Sequence, residues 1–179
     1  MKKSLLLALT LLCISSLAMA QAGSVGIFMD AAGLNCNLNN AAGFAQFHCV
    51  HVNSPGATAC QFSVQVVGTP LTFIGQMSAY NLIGTAPFGV AVAYGMCKVS
   101  PIDALTATYM GVSAPCNMIK IVADPTAVPP GIYMTDCVTP IPNLLIATGG
   151  TGYVNNNGPC PCNVPDEDTS WGQIKALYQ

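Results

Sequence analysis

Short runs rich in Val, Ile, Phe, Tyr and Thr recur along the sequence: "SVGIFMD", "FAQFHCVHV", "CQFSVQVV", "LTFIGQMS", "GVAVAYGMC", "LTATYMGV", "MIKIVA", "GIYMTDC" and "TGYVN". Gly, Pro and Asn clusters separate them, and each has the length of a strand rather than a helix. A parallel sheet needs a long crossover between neighbouring strands, usually a helix, and no long amphipathic segment stands between any two of these runs. The pattern therefore predicts an all-β fold, an antiparallel β-sandwich of about nine strands, which buries apolar faces by stacking two sheets. No repeat of fixed period is present.

The two ends of the chain differ from this middle. "MKKSLLLALTLLCISSLAMA" places two lysines before an apolar run and closes on Ala18 and Ala20, the layout of a secretory signal peptide over residues 1–20. Leu12 precedes Cys13 where a lipoprotein signal wants a small residue, so cleavage after Ala20 is expected instead. No later segment reaches the roughly 18 uninterrupted apolar residues that a membrane span needs. A secreted or periplasmic protein is the expectation. Loss of twenty residues from 179 leaves 159, enough for one domain with a sizeable core.

Charge narrows the partners. The mature chain keeps Lys98, Lys120 and Lys175 against seven acids, a net charge of −4, and arginine is absent throughout. Phosphate backbones and anionic membranes both call for clustered Lys or Arg, so neither nucleic acid nor an anionic lipid surface is an expected partner. Asn, Thr, Ser, Gln and Gly must cover most of the surface, which suits a secreted domain or an assembly subunit.

The sandwich is expected over residues 21–158, followed by a linker at 159–169 and an amphipathic helix at 170–179. In "SWGQIKALYQ", Ser170 and Gln173 match a capping box, the acids at 166–168 suit the positive helix start, and Lys175 lies nearer the negative end. Trp171, Ile174 and Leu177, with Tyr178, form a stripe that must bury against something. Its own sheet is one partner; another protein, for which the helix would be a docking tag, is the other.

Signal cleavage removes Cys13 and leaves eight cysteines, an even number that favours disulfides in an oxidising compartment. In "FHCVHVNSPGATACQF" the alternation of a strand puts Phe47, Cys49 and His51 on one face and His48 on the other, so the two histidines cannot converge on a metal. Cys49 and Cys60 flank a Pro-Gly turn at near-equal distances and are expected to pair across a hairpin, with free buried thiols or a metal as the alternatives. Cys116 and Cys137 bound a second two-run segment and are paired by the same reasoning. Cys36, Cys97, Cys160 and Cys162 remain; Cys160-Pro161-Cys162 is too tight to close on itself, so each would reach elsewhere.

Catalytic motifs are missing: no G-x-S-x-G, no H-E-x-x-H, no glycine-rich phosphate loop between strand and helix. Asp30, Asp103, Asp124 and Asp136 are the carboxylates that could form a glycosidase pair, although turn and strand-end roles explain each one more simply. Asp30, Asn35 and Asn37 could supply oxygens to calcium, but the loop lacks the acidic density of such sites. Tyr80, Phe88, Tyr94, Tyr109, Tyr133 and Tyr153 could present rings to a glycan, or fill the core. No catalytic residue, metal or cofactor is assigned.

The segments "GIFMDAAGLNC", "HVNSPGATACQF", "CNMIKIVADP", "MTDC" and "TSWGQIKALYQ" together resemble a group of uncharacterised small secreted bacterial proteins, over most of the mature chain. That resemblance implies no activity or substrate. "GATACQFSVQV" is similar to cohesin-type and other Ig-like extracellular sandwiches, which implies protein or sugar binding. The expected function is a disulfide-stabilised, non-enzymatic structural or surface-associated role, with self-association or an envelope partner; the alternative is a carbohydrate- or protein-binding module. An exposed planar row of aromatics would favour the glycan, and an apolar unpaired edge strand would favour assembly.

Overall fold

The computed structural model describes residues 23–40, 42–154 and 160. The expected signal peptide, the terminal helix with Trp171, Ile174 and Leu177, and Cys162 lie outside these residues. Among the described residues no helix is long and apolar enough to cross a membrane.

The strands are β1 Ser24–Phe28, β2 Asn37–Leu38, β3 Phe44–Val52, β4 Ala57–Val67, β5 Thr72–Met77, β6 Asn81–Thr85, β7 Gly89–Lys98, β8 Ile102–Met110, β9 Asn117–Val122, β10 Tyr133–Thr135, β11 Leu144–Ile146, β12 Thr148–Gly149 and β13 Thr151–Val154. Every run singled out in the sequence overlaps one of them. β2, β6, β11 and β12 are additions, each too short or too rich in Asn and Gly to stand out by alternation.

The strands form two sheets. The first runs β12-β1-β3-β8-β5; the second runs β11-β10-β4-β9-β13-β2, with β7 also on β4 and β6 on β7. Most pairs are antiparallel, while β12 on β1 and β2 on β13 are parallel. β9 and β10 occupy one continuous position along β4: Val122 pairs with Ser63 and Tyr133 with Gln61, so residues 123–132 loop out between two adjacent pairs. The inner faces enclose one core, in which Ile27, Phe47, Phe62, Leu105, Ile119 and Met134 are fully buried. Tyr109 stacks on Phe47 at 5.6 Å between ring centroids and takes Phe73 on its edge at 5.3 Å. Such pairs add to the burial that holds the sheets together.

The cysteine pairing differs from the expectation. Cys97 is bonded to Cys137 and Cys116 to Cys160, Cys36 is also disulfide-bonded, and Cys49 and Cys60 are free buried thiols. The hairpin premise fails because β3 and β4 do not pair with each other. β3 lies between β1 and β8 in the first sheet, and β4 belongs to the second, so the Pro55-Gly56 connection carries the chain from one sheet to the other. It is fastened there by Ser100, whose hydroxyl accepts from the Ser54 amide at 2.7 Å and donates to its carbonyl at 2.8 Å.

Cys137 finds Cys97 because β10 and β7 flank β4 and both run to its beginning. The bond crosses over Gly56, where a Cβ would stand 2.9 Å from one sulfur and 3.1 Å from the other. Glycine is thus required by the crosslink itself.

Candidate functional site

Four groups of side chains could carry chemistry or binding. The first is internal. Phe47, Cys49 and His51 point into the core, as alternation predicts, and His51 is fully buried. The Tyr94 hydroxyl donates to Cys60 Sγ at 3.0 Å and lies 3.5 Å from His51 Nδ1, while Tyr80 meets the Tyr94 ring edge-on at 5.0 Å. Burial pushes the Cys60 thiol up to about 12, against a smaller lowering by the Tyr94 bond. Cys49 is raised by burial, with Cys60 and Asp103 adding to it. Both thiols stay protonated and closed off from solvent, so this cluster is a polar seam within the core, not a nucleophile open to substrate.

The second group is the carboxylates, which the fold disperses. Asp30 turns the β1–β2 loop, its oxygens accepting from the amides of Ala32, Leu34 and Asn35. Asn35 accepts from the Asn37 amide, so the Asp30 and Asn35 oxygens considered for calcium serve the loop's own backbone. Asp103, on the outer face of the first sheet, lies 2.9 Å from His48 Nδ1. Asp136 accepts from the Val138 and Asn143 amides and from Asn143 Nδ2. Among the described residues no three of His, Cys, Asp and Glu come together to hold a metal.

Asp124 is the most embedded of them. It lies in the loop between β9 and β10, accepting from Gln61 Nε2 at 2.7 Å and from both the amide and the hydroxyl of Thr126 at 2.7 Å. Burial acts to raise its pKa, but the bonds from Gln61, Thr126 and Ala127 outweigh it and hold the carboxyl below its ordinary 3.8. In Asp136 the Asn143 side chain is the largest cause of a lowering in the same direction. For a lowered carboxyl, the stabilisation is complete above the unfolded pKa and is lost as pH falls through the folded one. Urea unfolding should therefore show a loss of stability below the ordinary 3.8. Asp124→Asn, which can keep its bonds if the Gln61 amide flips, should remove the Asp124 share of that loss.

The third group is the aromatics. Tyr94 and Tyr109 are buried in the core; Tyr133 and Tyr153 are half-buried on β10 and β13, and Tyr80 is half-buried in the β5–β6 connection; Phe88 is exposed in the β6–β7 turn. Among the described residues these rings make no planar exposed row.

The fourth group has no counterpart among the residues singled out in the sequence. Directly paired residues share a face, so two rows cross the outside of the second sheet: Ile146, Tyr133, Gln61, Ala91, Ile83, and Leu144, Thr135, Ala59, Ala93, Asn81. Small alanines form the middle and large aliphatics the margins, leaving a shallow depression beside Leu144 and Tyr133. Leu144, Ile146 and Ile83 are 64%, 76% and 76% exposed.

At one margin β11 is an edge. The Ala147 amide donates to the Ile132 carbonyl and the Asp136 amide to the Asn143 carbonyl, so residues 143, 145 and 147 bond inward to β10. By the antiparallel pattern the amides and carbonyls of Leu144 and Ile146 then point outward, and among the described residues no strand pairs with them. "NLLIATGG" carries the signal for this strand, but three apolar residues beside two prolines are too few to suggest it.

These features define a two-sheet, disulfide-crosslinked β-sandwich with an apolar edge. No family model matches the chain, and no curated protein matches it. Among solved structures it is similar to the seventh ScaB type I cohesin of Pseudobacteroides cellulosolvens, at 11% identity over 78% of this chain and 96% of that one, with a TM-score of 0.45.

Proposed function

We propose that this protein is an exported, non-catalytic structural module that self-associates by pairing β11 with β11 of a second copy. The observation carrying this reading is the outward-facing backbone of Leu144 and Ile146, bordered by their exposed side chains. An antiparallel pairing centred on Leu145 sets Leu144 of each copy against Ile146 of the other. It satisfies both outward amides and both outward carbonyls, and it is self-complementary, as a two-fold interface requires. With 7% charged residues in the chain, little electrostatic repulsion opposes the approach of two copies. The crosslinks Cys97–Cys137 and Cys116–Cys160 suit an oxidising compartment outside the cytoplasm.

The test is the sedimentation mass of the mature protein across concentration. A rise from monomer to dimer is expected, and Ile146→Lys should abolish it without changing the unfolding midpoint, because a charge on an exposed edge blocks pairing and touches no core. A monomer at every concentration contradicts the reading.

A further inference from the structure

We infer that the Gln76 side chain caps the β6 edge and so limits self-association to β11. The closed dimer this predicts rests on the β11 reading above, whereas the cap itself does not.

β11 and β6 are the two margins of one stretch of the second sheet, β11-β10-β4-β7-β6, and they lie level with each other: Ile146 shares a row with Ile83, and Leu144 shares one with Asn81. A sheet with both edges open can add copies at each and keep growing, while a single open edge paired about a two-fold axis closes on a dimer. Among the described residues no strand pairs with the outward side of either margin, but at β6 a side chain takes that place.

Gln76 Nε2 donates to the Gly84 carbonyl at 3.1 Å, and Gln76 Oε1 accepts from the Ala86 amide at 2.7 Å. In an extended chain the carbonyl of one residue and the amide two further on point the same way, and a residue of a parallel neighbouring strand would bond to such a pair. The side-chain amide therefore stands where a further strand would. Gln76 arrives from the other sheet. It pairs with Ala107, a core residue, in β5, the last strand of the first sheet, so its side chain points inward and crosses the rim to β6.

Because the Gly84 carbonyl points away from β7, alternation turns the amide and carbonyl of Leu82 outward as well. Without Gln76, β6 would offer these groups to β6 of a second copy. An antiparallel pairing centred on Ile83 sets Leu82 of each copy against Gly84 of the other, the same self-complementary arrangement as at β11. Ile83, 76% exposed, would border that contact, and β6 carries no charged residue to oppose it.

Sedimentation of the mature protein across concentration tests the cap. Gln76→Ala and Gln76→Thr are both too short to reach β6, and the pair guards against one variant failing to fold. Each should keep native far-ultraviolet circular dichroism and grow past the wild-type dimer to tetramers and larger species. Adding Ile146→Lys, at the opposite margin of the sheet, should stop growth at a dimer joined through β6. Adding Ile83→Lys instead should return the wild-type dimer. A Gln76→Ala, Ile146→Lys protein that is monomeric at every concentration overturns the cap, as does growth that Ile83→Lys leaves unchanged, since the copies would then meet elsewhere. A monomeric wild type contradicts β11 pairing and the closed dimer, while a dimer of the Gln76→Ala, Ile146→Lys protein would still support the cap.

Discussion

Replacing Cys97 and Cys137 together by alanine should lower the unfolding free energy by roughly 4 kcal/mol, the chain-entropy value for a loop of this length. The bond joins residues 40 apart in sequence and ties β7 to β10 on either side of β4. Losing it frees both flanks of the strand that carries most of the second sheet. A urea titration of the non-reduced double variant measures the loss as a fall in midpoint. Cys49→Ala and Cys60→Ala supply the contrast, because each removes a buried thiol and no crosslink. Their cost should stay within the range of a small cavity, about 1–2 kcal/mol each. If the Cys97/Cys137 variant unfolded at the wild-type midpoint, the crosslink would not hold these strands together.

A loss of comparable size is expected from Phe62→Ala, about 3–5 kcal/mol. Phe62 is fully buried on β4, paired with Val90 of β7 and facing the first sheet across the core. Truncating it removes a large ring from a site where neighbouring β-sheet backbone cannot move in to fill the space. Gln65, three residues along the same strand, is exposed, and Gln65→Ala should change stability by less than about 0.5 kcal/mol. Thermal or urea unfolding of the two variants separates the inner face of β4 from its outer one. Equal effects would mean that the assignment of faces along this strand is wrong.

The sandwich was legible in the sequence because strand length, turn chemistry and alternation agreed in each of the longer runs. The split of His48 and His51 to opposite faces followed from alternation alone, and His51 in the core beside Tyr94, with His48 outside beside Asp103, bears that out. The disulfides were less legible for a physical reason. Cys49 and Cys60 look like hairpin neighbours in sequence, but the Pro55-Gly56 connection crosses between sheets, and local turn chemistry does not say which sheet the next strand joins. Cys97 and Cys137 meet only because β7 and β10 independently select β4 as their neighbour. Gly56, which makes room for their bond, was visible only as half of a turn.

The interaction surface was hidden more completely. Ala59, Ala91 and Ala93 sit in runs where an alanine is unremarked, and only the registry of five strands assembles them into one floor. β11 has three residues, and its outward backbone follows from two hydrogen bonds at residues 143 and 147 that no sequence pattern announces.

The edge itself is the most direct place to look. Amide hydrogen exchange at Leu144 and Ile146, followed in the mature protein from low to high concentration, reads the outward N–H groups that a second copy would bind. Pairing of β11 between copies predicts fast exchange when dilute and marked protection of these two amides when concentrated, with Leu145, already bonded to β10, protected throughout. Fast exchange of Leu144 and Ile146 at every concentration would contradict it.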